Sequence, residues 1–376
     1  MPSELDRALR VLMATPRFSP DVGGVETHVY EVARRLVQKK VDVTVLTTDR
    51  RGHLPIFEEL EGVQVRRVRA WPANRDWYLA PDVYRIITRG SWDLVHVQSY
   101  HTFVAPFAMQ AAWTARIPYV VTFHGGGHSS ALRNAVRGIQ WQFLRPWLAR
   151  AQRLIAVAKF EMELYGRALR IPLERFILIP NGFDITRPND GAISDSNGTL
   201  ILSIGRLERY KGHQRVIAAL PHVVAQKPDA RLRIVGAGPC ENELRHMAQQ
   251  LGVSDRVEIR GIPSSDRQGM VRLLQSASLV TLLSDYETHP ISVLEALSFQ
   301  RPVLVAENSG MRELAERGWA RSVPTHSAPT EIAEAMLGQL NTPLVPQQID
   351  VFTWDDCARQ LLQLYQSLVK PKECAS

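Results

Sequence analysis

The stretch "IPNGFDITRPNDGAISDSNGTLILSIG", Ile179–Gly205, decides how the chain is divided. Its first residues close one series of short apolar runs, and its last residues open another. Between them "ITRPNDGAISDSNG", residues 185–198, is rich in turn formers and has no apolar period, the mark of a linker rather than a packed element. Upstream, "LRVLMAT", "DVTVLTT", "LVHV", "YVVTF", "RLIAVA" and "FILIP" read as strands separated by longer amphipathic stretches. Downstream, "TLILSIG", "RLRIVGAG", "VEIRG", "LVTLL" and "PVLVAE" repeat the pattern. Such alternation is that of βαβ units and parallel sheets. The expectation is an α/β chain of two doubly wound, Rossmann-like domains, residues 1–185 and 186–350, each with a ligand-facing rim at its strand C-termini. Residues 351–376 are expected as a terminal helix packing back on the first domain, with helical spacing at Cys357, Leu361, Leu364 and Leu368.

A chain of 376 residues exceeds one ordinary core, in keeping with two domains. Its 45% apolar and 22% charged residues suit a soluble protein. No apolar run approaches the roughly 18 residues that span a bilayer, and "MPSELDRALRVLMATP" does not read as a secretory signal. Cys240, Cys357 and Cys374 are scattered and odd in number, which fits a reducing cytoplasm and argues against a disulfide framework or a zinc site. Residues 1–190 hold 26 Lys and Arg against 18 Asp and Glu, a net of +8, whereas residues 191–376 hold 19 against 20. A basic first half suits an anionic membrane or an acidic substrate. No basic tail, zinc finger or RNA-binding aromatic motif points to nucleic acid.

Four stretches are candidates for carrying chemistry. In "VGGVETHVYEVARRL" a Gly-Gly pair, Gly23 and Gly24, opens a helix after a strand, where side-chain-free backbone approaches a phosphate closely. A tight strand-helix turn would look the same. In "IVGAGPCENEL" Glu241 stands at the third-glycine position of a dinucleotide fingerprint, so a nicotinamide reading is rejected. In "SIGRLERYKG" Arg206 and Lys211 follow a strand and would clamp a diphosphate as a fork and a point charge, or form a solvated basic loop. In "SDYETHPISVLEAL" Glu287 and Glu295 lie eight residues apart around Pro290, which suits a first helical position. The free amides of Ile291 and Ser292 would then face a phosphate, with Glu287 and Glu295 accepting from sugar and ribose hydroxyls. On its own the pair, a spacing common by chance, favours an ordinary helix entry with a solvated glutamate at each end.

Taken together, the chain resembles the family 4 glycosyltransferases, retaining enzymes of the GT-B fold. The likeness runs in order over nearly the whole chain, through "PRFSPDVGGVETHVYEVARRL", "VVTFHGG", "IPNGFD", "SIGRLERYKG", "YETHPISVLEALSFQRPV" and "TWDDCARQLLQLYQSL". It implies two domains facing a central cleft, an acceptor-side first domain and a second that binds a nucleotide sugar. The substrate implied is a UDP-, GDP- or ADP-sugar, its hexose passing to a glycan or lipid-linked acceptor in cell-envelope or exopolysaccharide synthesis. The resemblance implies that Arg206 and Lys211 neutralise the leaving nucleoside diphosphate. Gly23 and Gly24, with the amides of Ile291 and Ser292, would hold phosphate oxygens, and Glu295 the ribose. Glu287 and His124 would flank the donor sugar, and the Gly261–Pro263 turn, Ile262 within it, would lie beside the base. Related enzymes need no catalytic metal, and the new linkage is α when the donor is α. A silent nucleotide-sugar-binding assembly partner and a nucleotide-sugar epimerase of the same fold are the other readings.

Two departures stand out. Many relatives have a glycine-rich turn where this chain has Thr288, His289 and Pro290, and in "HVQSYH" Gln98 replaces a histidine that relatives often show. From Gly125 to Phe160 there is no acidic residue. Arg133, Arg137, Arg145, Arg150, Arg153 and Lys159 alternate there with Trp141, Phe143 and Trp147. This composition suits an interfacial helix on the inner face of the plasma membrane, a groove for a lipid-diphosphate acceptor, or a core helix with a solvated basic face.

Overall fold

Strands that read as continuous apolar runs bury both faces, which requires a sheet covered by helices on each side. A computed structural model of the chain contains two such sheets. It describes residues 7–21, 23–73, 78–125, 131–183, 198–263, 266–349 and 352–369, the side chains of 131–137 excepted. Most of the polar linker, and the boundary expected between 185 and 186, fall in 184–197, outside the described residues. Two compact units emerge. One contains the chain up to Gly125, Asn134–Gly182 and the segment from Phe352; the other contains Phe183–Val351.

In the first unit the strands are β1 (Arg10–Ala14), β2 (Asp42–Asp49), β3 (Phe57–Leu60), β4 (Val63–Arg69), β5 (Leu94–Gln98), β6 (Tyr119–Thr122), β7 (Arg153–Ala156) and β8 (Phe176–Leu178). Their spatial order is β3-β4-β2-β1-β5-β6-β7-β8. Every neighbouring pair is parallel except β3 and β4. That hairpin escapes the sequence reading because "FEEL" is short and polar. It turns through Glu61 (φ 50°) and Gly62 (φ 81°), both left-handed, the geometry a two-residue hairpin needs. Helices α1 (Gly24–Gln38), α2 (Asp82–Arg89), α3 (Val104–Thr114), α4 (Ala131–Leu148) and α5 (Lys159–Leu169) complete the wrapping.

The second unit is wholly parallel. Strands β9 (Leu200–Ile204), β10 (Arg231–Val235), β11 (Val257–Ile259), β12 (Leu279–Leu282), β13 (Val303–Ala306) and β14 (Arg321–Val323) lie in the order β11-β10-β9-β12-β13-β14. Its helices are α6 (His213–Gln226), α7 (Glu241–Gln250), α8 (Arg267–Ser276), α9 (Ile291–Ser298), α10 (Ser309–Glu316) and α11 (Pro329–Asn341). Successive residues of β9 point to opposite faces: Ile201 packs with Val216, Leu220 and Met336, and Leu202 belongs to the core of Leu274, Val293 and Leu297.

The last helix, α12 (Trp354–Leu368), belongs to the first unit and packs on α1. Its start is a capping box. The Thr353 hydroxyl accepts from the Asp356 amide at 3.1 Å, and the Asp356 carboxylate accepts from the Thr353 amide at 3.0 Å. Gly182 is required here, since a Cβ would stand 2.2 Å from the Trp354 nitrogen. Cys357, Leu361 and Leu364 are buried as their spacing predicts, but Leu368 is only half-buried and Tyr365 takes a fully buried place. Leu361→Ala is expected to cost about 2–5 kcal/mol of stability in denaturant unfolding, against roughly 0.5 kcal/mol or less for the exposed Gln363→Ala. Equal effects of the two would show that α12 is not part of the core.

Candidate active site

From β9 the second sheet runs one way to β10 and β11, and the other way to β12, β13 and β14. At such a switch point the loops leaving adjacent strands part and open a crevice at the strand C-termini. The loop after β9 carries Arg206 and Lys211; the loop after β12 carries Ser284 and Glu287.

Close backbone approach shapes the first loop. The Gly205 and Leu207 amides each donate at 3.0 Å to the Val235 and Ala237 carbonyls, and a Cβ on Gly236 would stand 1.9 Å from the Gly205 oxygen. The glycines of "IVGAGP" thus serve loop packing. Gly212 is left-handed (φ 77°), and a Cβ there would stand 1.9 Å from the Leu283 oxygen. Buried His213 braces the loop from beneath: the Ser203 hydroxyl donates to Nδ1 at 2.8 Å, and Nε2–H donates to the Arg206 carbonyl at 3.2 Å. Burial lowers its pKa to about 4, so the ring is neutral at pH 7.

Lys211 and Glu287 meet directly. The ammonium lies 2.6 Å from Glu287 Oε1, and their side chains are only 15% and 13% exposed. The Ser284 hydroxyl donates to the same oxygen at 2.8 Å, and the Glu287 amide donates to Ser309 Oγ at 2.9 Å. Left-handed Ser309 (φ 41°) and Gly310, whose Cβ would stand 2.1 Å from the Thr288 oxygen, press the loop after β13 against this segment. The Arg206 guanidinium is 65% exposed; it donates to Tyr210 Oη at 2.8 Å and lies 3.5 Å from Glu208.

Pro290 is the N-cap of α9, not its first residue; the helix starts at Ile291. The difference arises because Pro290 has ψ 85°, outside the helical range, while its carbonyl accepts from the Val293 amide at 3.0 Å. The amides of Ile291 and Ser292 nevertheless have no acceptor among the described residues. Glu295 is 14% exposed and lies 2.7 Å from Arg267, at the start of α8, which sequence reading did not single out. Burial, with Arg317 nearby, lowers the His289 pKa to about 4, so at neutral pH this departure from a glycine-rich turn adds bulk and no charge. Ile262 is half-buried and packs on the core that holds Leu274 and Val293.

In the first unit Gly23 is the N-cap of α1, and Gly24 its first residue. A Cβ on Gly24 would meet nothing within 4 Å, so that backbone is open to a ligand. His124 follows β6 in a left-handed conformation (φ 44°) that costs energy for a non-glycine residue. The buried Glu161 carboxylate holds this turn by accepting from the Gly125 and Val157 amides, both at 2.9 Å. The His124 ring packs 4.5 Å from that of His28, and its Nε2 lies 2.7 Å from Gln98 Oε1. Burial, with His28, His96 and His101 nearby, keeps its pKa well below the usual histidine value. Gln98, noted in the sequence only as a departure from relatives, and Glu161 take these places in the first unit through its fold, as His213, Arg267 and Ser309 do in the second.

The basic segment divides. Leu144 and Leu148 are buried, and Trp141 packs 5.4 Å from Tyr165, as in a core helix. Ile139 and Phe143 are exposed, and Arg145 and Arg150 spend hydrogen bonds on the Leu169 and Pro146 carbonyls. The side chains of Arg133 and Arg137 lie outside the described ones. Among the described residues no helix is long and apolar enough to cross a membrane, and no group of three His, Cys, Asp or Glu is arranged to hold a metal.

Two family models match in succession, Glycosyltransferase Family 4 over residues 22–187 and Glycosyl transferases group 1 over residues 189–349. The chain belongs to the family 4 glycosyltransferases. It is therefore a retaining hexosyltransferase that takes its sugar from a nucleotide-sugar donor. The glycosyltransferase is 28% identical over 386 residues to GDP-mannose:cellobiosyl-diphosphopolyprenol alpha-mannosyltransferase of Komagataeibacter xylinus, covering 97% of this chain and 94% of that one. It is 28% identical over 389 residues to phosphatidyl-myo-inositol mannosyltransferase of Mycolicibacterium smegmatis, covering 96% and 94%. Its fold matches sucrose-phosphate synthase of Thermosynechococcus elongatus (TM-score 0.76, 18% identity, 96% and 99% covered). Anabaena HepE in complex with UDP and glucose is similar too (TM-score 0.75, 20% identity, 96% and 100% covered). Both structures show the two-domain GT-B architecture.

Neutral buried histidines give the glycosyltransferase a defined acid response. His213 and His289 have folded pKa values of about 4, below the ordinary 6.5, so the unfolded chain takes up the protons first. Their contribution is complete above pH 6.5 and falls as pH drops toward 4, by about 2 kcal/mol each at pH 5. Melting temperature is expected to fall between pH 7.5 and 5, and the fall to shrink in His289→Gln. A variant that keeps the wild-type pH dependence would count against a buried neutral His289.

Proposed function

We propose that the enzyme moves a hexose, with mannose as the first candidate, from a GDP-sugar to a glycan or lipid-linked acceptor in cell-envelope or exopolysaccharide synthesis. The GDP donor is suggested by the relatives from Komagataeibacter and Xanthomonas, whose names specify GDP-mannose and a diphosphopolyprenol acceptor. The observation that carries the placement of the chemistry is the 2.6 Å Lys211–Glu287 contact at the switch point between β9 and β12.

In this reading the Lys211 ammonium has three N–H donors, keeps one on Glu287 and turns the others to the diphosphate. Arg206, largely exposed, swings its fork onto the same phosphates. Gly23, Gly24 and the free amides of Ile291 and Ser292 bind phosphate oxygens, and the turn around Ile262 lies beside the base. Glu287 and His124 flank the sugar, and Glu295 takes the ribose hydroxyls once Arg267 yields an oxygen. The acceptor hydroxyl attacks the anomeric carbon on the face from which the diphosphate departs. The carbon–oxygen bond to the leaving phosphate breaks as the new one forms, and the hydroxyl proton passes to that phosphate oxygen. Positive charge from Arg206 and Lys211 stabilises the leaving group as it develops.

A panel of GDP-, UDP- and ADP-sugars, followed by nucleotide release, tests the reading. GDP-mannose is expected to turn over fastest. Lys211→Ala should lower kcat by roughly 100-fold or more, the order seen when one preorganised charge-stabilising donor is removed, with little change in guanosine binding. Glu295→Ala should weaken GDP binding with the melting temperature kept. Wild-type turnover in Lys211→Ala would remove the clamp from the mechanism.

The same reading sets residues 125–160 against an anionic membrane at the cytoplasmic face. Exposed Ile139 and Phe143 lie one helical turn apart, next to exposed Arg145 and Arg150. Sedimentation with liposomes at low salt is expected to recover several-fold more enzyme with phosphatidylglycerol than with phosphatidylcholine alone, and Phe143→Ser to reduce it. Equal recovery on both lipids would leave the segment a solvated basic face.

A further inference from the structure

The end of β5 holds a polar chain that the placement of His124 does not explain. Gln98 is fully buried. Its carbonyl oxygen lies 2.7 Å from His124 Nε2, and its amide nitrogen lies 3.2 Å from both ring nitrogens of His96. Those nitrogens already have hydroxyl partners, Tyr365 Oη at 2.6 Å on Nδ1 and Thr122 Oγ1 at 2.7 Å on Nε2. A hydroxyl donates or accepts, so neutral His96 is satisfied in either tautomer. In the structure the Gln98 oxygen faces His124 and its amide nitrogen faces the His96 ring, where it shares the lone pair with a hydroxyl. An amide oxygen only accepts, so the donor of the contact to His124 is Nε2–H. His124 then carries its proton on Nε2 and a lone pair on Nδ1, which has no hydrogen-bond partner among the described residues.

We propose that Gln98 is a positioning residue that fixes neutral His124 as the Nε2–H tautomer, so that Nδ1 stands as the acceptor for a hydroxyl of the transferred sugar. The inference rests on the proposed place of His124 beside the donor sugar and goes beyond it by naming the proton-bearing nitrogen and the group that sets it. The titratable groups facing His124 are His28 from α1, His96 from β5 and His101 from the following loop, whose Nε2 lies 3.4 Å from the His124 carbonyl. From α5, Glu161 reaches the adjacent Gly125 amide at 2.9 Å, and from α12 Tyr365 stands behind His96. The group at Nε2 itself is a neutral amide. A carboxylate in its place would stabilise the imidazolium and put a proton on Nδ1, converting the acceptor into a donor. This gives a physical reason for glutamine at this position.

The test combines ¹⁵N-histidine NMR with turnover of the donor from pH 5.5 to 9 in wild type, Gln98→Leu and Gln98→Glu, with the His124 signal assigned by its loss in His124→Asn. Wild-type His124 is expected as the neutral Nε2–H form throughout. In Gln98→Leu the tautomers should mix and kcat fall roughly tenfold, the scale of one lost hydrogen bond. In Gln98→Glu the His124 titration should rise into the neutral range, and turnover should drop about tenfold for each pH unit below it. A wild-type Nδ1–H tautomer, or an unchanged tautomer in Gln98→Leu, would overturn the proposal. If tautomer and titration move while turnover does not, the sugar contact fails, and with it the placement of His124, but the tautomer assignment stands. Should Gln98→Glu not fold, the wild-type tautomer and Gln98→Leu still decide.

Discussion

Burying an ammonium beside a carboxylate costs several kcal/mol of desolvation per ion, which is offset only by a short contact with its remaining hydrogen bonds satisfied. Lys211 and Glu287 meet that condition at 2.6 Å, and most of the second unit's rim is arranged to supply it. Gly212 lets the Lys211 turn lie on the Leu283 carbonyl, Ser284 adds a hydroxyl to the shared oxygen, and Ser309 and Gly310 fix the Glu287 backbone. In the proposed mechanism this pair meets the diphosphate, because the ammonium has three N–H donors and Glu287 takes one of them. Arg206 is complementary, an exposed fork that needs no prior burial to reach the same charge.

The first unit manages polarity in the opposite way. Its strand ends hold a buried chain of neutral groups, from Tyr365 through His96 and Gln98 to His124, with His28 alongside and bonded in turn to Asn181 at 2.8 Å. Uncharged partners spare this site the desolvation of an ion, and burial keeps the imidazoles neutral. The terminal helix takes part through Tyr365, so its docking on α1 bears on the geometry of the site as well as on stability. In the proposed mechanism a charged clamp for the leaving group and a neutral surface for the sugar are different electrostatic tasks.

Strand positions and helix starts were legible because they rest on local terms. Apolar runs of four to seven residues, a Gly-Gly helix start and a proline at a helix entry are read from neighbours in the chain. Arg206, Lys211, Glu287 and Glu295 were legible as a motif. What they touch was not. The Lys211–Glu287 contact joins residues 76 apart, and Arg267 reaches Glu295 from another helix, so no spacing rule could pair them. The β3–β4 hairpin was missed because its polarity hides its period, and Tyr365 because its partner lies 269 residues away.

By itself, then, the sequence determined two α/β units built mainly on parallel strands, the division of charge between the halves and the motifs shared with the family, since each follows from local pattern and composition. Only the tertiary structure decided which carboxylate neutralises which cation, why Pro290 caps rather than begins its helix, and which groups Gln98 meets in the core. Those answers depend on burial and on hydrogen-bond partners that meet only after the sheets are formed.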